Sequence, residues 1–206
     1  MVLPQKPNMI VCLKLLLILI VFIAIKSKAN EYEFTPYIGN MFSSDLQQAD
    51  SSAITVSDDV HLGFAIAWQE SSKGRRRGQG QILINYVSHK FSTSETTDNK
   101  FDLIYAHFSG VGFYGKTGYI TTLGLGFGAS YIKSSLGDSF YPSSTIAIGT
   151  RYLVSKDLTL VTELRAYATL IKEDDNIFCN NTQCLALFDG AVWLDTSISV
   201  GFAYKF

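Results

Sequence analysis

A few residue groups have the types and spacing to do chemistry. His107 and Ser109 are two apart. On a strand they would share a face, and an imidazole beside a hydroxyl is the arrangement that activates a serine nucleophile. No acid shares that face nearby and the pair lies in mid-strand, so a satisfied interior histidine is expected instead of catalysis. His61 and His89 are isolated. No cluster has metal-ligand spacing, so no metal site, no cofactor and no enzymatic activity are expected. Arg75, Arg76 and Arg77 form the only dense basic run, suited to anionic headgroups, to peptidoglycan or simply to a solvated turn. Glu173, Asp174 and Asp175 make an acidic patch without the spacing of a calcium loop.

Two cysteines, Cys179 and Cys184, stand close together late in the chain, separated by Asn180, Asn181, Thr182 and Gln183. Four polar, turn-compatible residues let the two Cα atoms approach to disulfide distance. The third cysteine, Cys12, lies in the N-terminal leader, so the pairing has no competitor. A metal pair would need a third ligand, and no His or Cys is near. A disulfide implies an oxidising compartment.

The leader supports export. Lys6 and Lys14 precede an apolar run over residues 15–25, and Ser27-Lys28-Ala29 places small residues at a cleavage site. The run is short for a bilayer span, which argues against an uncleaved anchor. Residues 1–29 therefore read as a signal peptide and 30–206 as one mature domain. Removing the leader's four lysines from 17 basic residues leaves 13 against 18 acidic ones, net −5. That balance excludes a typical nucleic-acid binder.

The elements that carry these residues alternate with period two. In the last segment Leu194, Thr196, Ile198, Val200, Phe202, Tyr204 and Phe206 fall on one face, and Trp193, Asp195, Ser197, Ser199, Gly201, Ala203 and Lys205 on the other. Leu158, Leu160, Thr162 and Leu164 likewise oppose Val161, Glu163 and Arg165, and Ile146, Ile148 and Tyr152 oppose Ala147, Gly149 and Arg151. Tyr119, Leu123, Leu125 and Phe127 alternate with Gly124, Gly126 and Gly128, and Val60, Leu62, Phe64, Ile66 and Trp68 with His61, Ala65, Ala67 and Gln69. Segments 31–42 and 81–91 alternate more weakly, exposing Phe34, Pro36 and Ile38, and Ile82, Ile84 and Tyr86. In segment 101–114 both faces carry apolar residues and the register is open.

Eight such segments, each long enough for a tilted membrane-spanning strand and flanked by aromatics, predict a closed antiparallel up-and-down transmembrane β-barrel. The alternative is a soluble β-sandwich, whose strands are usually shorter. With the N-terminus in the periplasm, residues 43–57, 92–99, 134–143 and 172–191 become long outer loops, and 115–118 and 155–157 short inner turns. Residues 70–79 are a long exception. The inward charges Arg151, Glu163, Arg165 and Asp195, with Lys205, are expected to form a compensated lumen network, because an unpaired buried charge is costly. Arg151 is the expected partner of Glu163 and Arg165.

The terminal strand ending in Tyr204-Lys205-Phe206 resembles the closing strand of bacterial outer-membrane barrels, whose final aromatic is read by the assembly machinery. Pro36-Tyr37-Ile38-Gly39 and the Gly-rich segment 119–131 are similar to the OmpA-like eight-stranded barrel domain. The resemblance implies a Gram-negative outer-membrane location, with membrane lipids and the assembly machinery as partners and Phe206 and Tyr204 as the assembly signal. The chain stops at this strand, so no periplasmic peptidoglycan-binding domain is expected. Lipid A deacylases of that membrane resemble the chain in an outward His-x-Ser pair, but here the next residues are Gly110 and Val111 and no acid is near.

The expected function is a structural or surface-interaction role through the outer loops, toward an unspecified extracellular ligand. A narrow channel or hydrophobic-ligand carrier is the alternative, and a lipid-modifying enzyme a third reading. An eight-stranded barrel is filled by its own side chains, which excludes a general porin.

Overall fold

The structure, a computed structural model, describes residues 31–47, 53–69, 78–92, 99–116, 118–171, 177–179, 184, 186–188 and 190–206. The leader, Arg75–77 and the acidic patch at 173–175 lie outside the described residues. The described residues form eleven strands: β1 (Glu31–Ser43), β2 (Leu46–Gln47), β3 (Ala53–Ile54), β4 (Asp59–Gln69), β5 (Gly78–Phe91), β6 (Asn99–Lys116), β7 (Tyr119–Ser134), β8 (Asp138–Leu153), β9 (Leu158–Leu170), β10 (Leu187–Phe188) and β11 (Val192–Lys205).

Eight of them close into a barrel in the order β1-β11-β9-β8-β7-β6-β5-β4, every neighbour antiparallel. Closure joins the two ends of the described chain: Phe34 pairs with Tyr204 and Ile38 with Val200. Closure also removes the unpaired sheet edges that an open sheet would present. The short strands β10, β2 and β3 form a separate three-stranded sheet.

The alternation comes out inverted relative to a soluble protein. Phe127 and Phe140 on the outer wall are 76% and 74% exposed, whereas Asp195 and Arg165 in the lumen are 0% and 2% exposed. Ile38, Leu62, Ile82, Phe108, Leu125, Ile148, Leu164, Ile198 and Phe202 continue the apolar wall around the barrel. An apolar belt of this extent is far larger than the patches a monomeric soluble protein exposes, and it matches a hydrocarbon environment.

Two geometric demands on glycine are plain. Gly118 sits in the tight β6–β7 turn with φ of 97°, a left-handed conformation that side chains disfavour. Gly39 faces inward at the β1–β11 seam. A Cβ there would lie 2.0 Å from the Ile198 carbonyl oxygen and 2.7 Å from His61 Nε2.

The structure corrects two sequence expectations. Residues 134–143 are not a long loop: β7 runs to Ser134, β8 starts at Asp138, and the turn closes with Ser134 N donating to the Gly137 carbonyl at 2.8 Å. Asp138, Ser139, Pro142 and Ser143 look like loop residues but continue the barrel wall. The ambiguous segment is a strand four residues longer than read, Asn99–Lys116, with Phe101, Leu103, Tyr105, His107, Ser109 and Val111 inward and Ala106, Phe108 and Gly110 outward.

Candidate functional site

The lumen is filled from end to end by side chains of alternate residues. Nearest the chain termini, Arg151 on β8 donates to Glu33 on β1 at 2.5 Å, and its guanidinium lies 5.4 Å from the centroid of the Phe113 ring. Higher, Arg165 Nε donates to Glu163 at 2.8 Å and its Nη1 reaches the Thr145 hydroxyl at 3.3 Å. Above that, His61 Nδ1 and Asn85 Oδ1 are 2.7 Å apart, and Asn85 donates to the Tyr167 hydroxyl at 2.8 Å. Tyr167 stacks on Tyr105 with centroids 4.1 Å apart. The Tyr105 hydroxyl donates to Asp195, whose carboxylate also receives the Trp193 indole N–H at 2.9 Å.

The lumen charges are therefore distributed differently from the expected network. Glu163 and Arg165 do pair, but Arg151 takes Glu33, which sequence reasoning passed over, and Asp195 is held by neutral donors. Parity along a strand assigns a face, but it says nothing about which side chains meet across the lumen. Glu33 was findable by that parity, since Phe34 and Pro36 face out. Lys205, also on the inward face, has its backbone N–H bonded to the Asp157 carbonyl at 2.9 Å.

His107 lies inward and buried. Its Nε2 is 2.8 Å from the hydroxyl of Ser143 on β8, not from Ser109. A different serine–histidine contact occurs at the distal end, away from the termini. Ser43 Oγ is 3.0 Å from His89 Nε2, and His89 Nδ1 is 2.8 Å from the Ser57 carbonyl and 3.6 Å from Asp59. Nδ1–H donates to that carbonyl, so Nε2 is left to accept from Ser43. These are the components of an activated hydroxyl, but His89 is fully buried beside Phe101. The contacts tie β1, β5 and the segment before β4 together.

Above them the barrel mouth is roofed. Leu46, Ile54, Val56, Ile171, Ile177 and Ala186, all buried, come from the segments that follow β1 and β9. Phe178 meets Phe91 and Phe101 edge-on at 5.4 and 5.5 Å, and Phe188 meets Trp193 at 5.3 Å. The pairing of β2 with both β10 and β3 staples the two segments over the lumen. Cys179 and Cys184 form a disulfide immediately beside Phe178. The sequence signal for this roof was weak, because its apolar residues fall in short runs such as Ile177-Phe178 and Leu185-Ala186-Leu187-Phe188 inside otherwise polar segments, with no strand-length alternation.

At the opposite end Phe206 stacks on Tyr32 with centroids 6.3 Å apart, and its N–H donates to the Tyr32 carbonyl at 3.0 Å. Tyr204 and Phe206 face outward with Tyr114, Tyr119 and Tyr152, an aromatic band at the terminal end of the wall.

No family model matches the sequence, and no curated protein matches it. Solved structures do. The outer-membrane protein OprG of Pseudomonas aeruginosa aligns with a TM-score of 0.52 at 12% identity, over 87% of this chain and 97% of that one. The outer-membrane protein AlkL, solved in lipid bilayers, aligns at 0.52 and 14% identity over 89% and 94%. The chain thus has the all-β fold of the small eight-stranded outer-membrane barrels, and the likeness is one of fold.

Proposed function

We propose that the protein is an integral outer-membrane barrel that does not conduct, and that it acts through its distal segments and outer wall. The observation that carries this reading is the roof. Among the described residues, ion pairs and hydrogen-bonded polar side chains occupy the lumen and interlocking aromatic rings cover its mouth, so opening a path would strip buried apolar area from Phe91, Phe101 and Phe178. His89 is fully buried beneath these rings, which favours a non-enzymatic role.

In this reading residues 1–29 are removed on export, both ends of the mature chain face the periplasm, and the roofed end of the barrel faces out. Phe206 and Tyr204 are presented to the barrel-assembly machinery, and the apolar belt contacts outer-membrane lipids. Envelope fractionation tests the placement. The mature chain should sediment with outer membranes and migrate differently on gels before and after heating, since a closed barrel resists detergent until heated. Recovery in the soluble periplasm would sink the reading.

A further inference from the structure

Lys90 on β5, Lys100 on β6 and Lys133 on β7 stand exposed on the outer wall at the roofed end. Their strands assign them to the lipid-facing side. Tyr86 and Ile82 precede Lys90 on its face, Phe108 and Ala106 share the face of Lys100, and Phe127 shares that of Lys133. Lys90 and Lys100 are direct cross-strand partners. Their Cβ atoms are therefore about 4.5–5.5 Å apart, an arrangement in which like charges repel. Lys133 pairs with Asp102, two residues along from Lys100, which places it on the diagonal at about 7–8 Å.

Among the described residues none of the three lysines forms an ion pair. Asp102 and Asp138 flank Lys133 in register while accepting from the Tyr86 hydroxyl at 2.9 Å and the Tyr131 hydroxyl at 3.0 Å, so the lysines that face each other with no acid between them are Lys90 and Lys100. Directly below lies an aromatic wall of Tyr86, Tyr131 and Phe140, with Tyr131 and Phe140 only 4.5 Å apart, and Phe127 deeper still. Aromatics of this kind mark headgroup level at a membrane interface. The lysines thus stand where headgroups lie, above a surface suited to acyl chains.

Two ammonium groups held side by side are best complemented by one group of double charge. A phosphate monoester carries about −1.5 to −2 near neutral pH, whereas a phosphate diester carries a single charge. We infer that Lys90 and Lys100, flanked by Lys133, dock the headgroup of a membrane lipid ending in a phosphate monoester, with its chains along Phe140 and Phe127. This inference rests on the reading of the chain as a membrane barrel.

The test uses the purified barrel in phosphatidylcholine vesicles carrying spin-labelled phosphatidic acid or spin-labelled phosphatidylglycerol, and reads the protein-associated lipid fraction. Wild type should prefer phosphatidic acid over phosphatidylcholine roughly tenfold, with a smaller preference for phosphatidylglycerol. Lys90→Gln/Lys100→Gln should abolish the difference, and Lys133→Gln should weaken it. Excess inorganic phosphate should release little of the lipid. An unchanged preference in the double variant, equal preference for the two anionic lipids, or release by inorganic phosphate would overturn the docking surface. Heat-modifiable mobility of each variant shows that it is folded and inserted. Wild type that fails to insert at all overturns the membrane reading, and the docking surface with it; insertion without preference overturns the docking surface alone.

Discussion

Replacing Arg151 by Met leaves the Glu33 carboxyl, 5% exposed, without its partner on β8. Its second carboxylate oxygen, Oε1, already lacks a hydrogen-bond partner, so nothing nearby takes over. Stranding a buried charge costs about 3–5 kcal/mol, and this site should lie toward the upper end. Glu33→Gln strands Arg151 instead, but the Phe113 ring remains 5.4 Å from the guanidinium. A cation–π contact offsets about 0.5–2 kcal/mol, so this variant should lose roughly 2–3 kcal/mol. The double variant Glu33→Gln/Arg151→Met removes both charges and should cost less than either single change, because a neutral replacement of a buried pair is often close to neutral in stability. The order of stability is therefore wild type, double variant, Glu33→Gln, Arg151→Met. Urea unfolding in phospholipid vesicles, followed by tryptophan fluorescence, gives the midpoints. If the cost of the double variant equals the sum of the single costs, the two side chains are not energetically coupled and the account of the lumen is wrong.

Gly39→Val should prevent barrel closure at the β1–β11 seam, because its Cβ has no room against the Ile198 carbonyl; the heat-modifiable band should be lost, and its survival at wild-type level would contradict the packing. Phe206→Asp should impair assembly strongly by removing the stack on Tyr32, while Lys205→Gln should matter less; equal folded yields for Phe206→Asp and wild type would count against the assembly role. Mass measurement of the unreduced mature chain should show two hydrogens fewer than the reduced form, and reaction of both thiols with maleimide before reduction would exclude the Cys179–Cys184 bond. A fluorophosphonate probe should leave Ser43 unlabelled in the folded barrel, and labelling would show that the roof admits substrates to the Ser43–His89 contact.

The barrel was legible because membrane spanning forces a strict chemical alternation, and β11 or β9 shows it without interruption: Leu194, Ile198 and Phe202 out, Asp195, Ser199 and Ala203 in. The alternation fails where the inside is itself apolar. In β6, Phe101 and Leu103 turn inward to meet the roof, so both faces read as hydrophobic and the register vanished. It also misleads beyond the apolar belt, where β8 begins in Asp138 and Ser139 and looks like a loop. Cross-lumen partners were hidden for a different reason. Glu33 and Arg151 are 118 residues apart and lie on strands that are not hydrogen-bonded neighbours, so no local pattern relates them. The roof was hidden because it forms only when two distant segments, around Leu46 and Phe188, pair with each other.

The central claim, a barrel that does not conduct, is tested most directly by single-channel recording of the purified protein in planar bilayers. Wild type should insert without conductance steps, and Phe91→Ala/Phe178→Ala, which cuts the aromatic contact at the mouth, should stay silent as well, because the Glu163–Arg165 pair and the Tyr105–Tyr167 stack still occupy the lumen below. Stable, well-defined steps from the wild-type barrel with its disulfide intact would contradict the account.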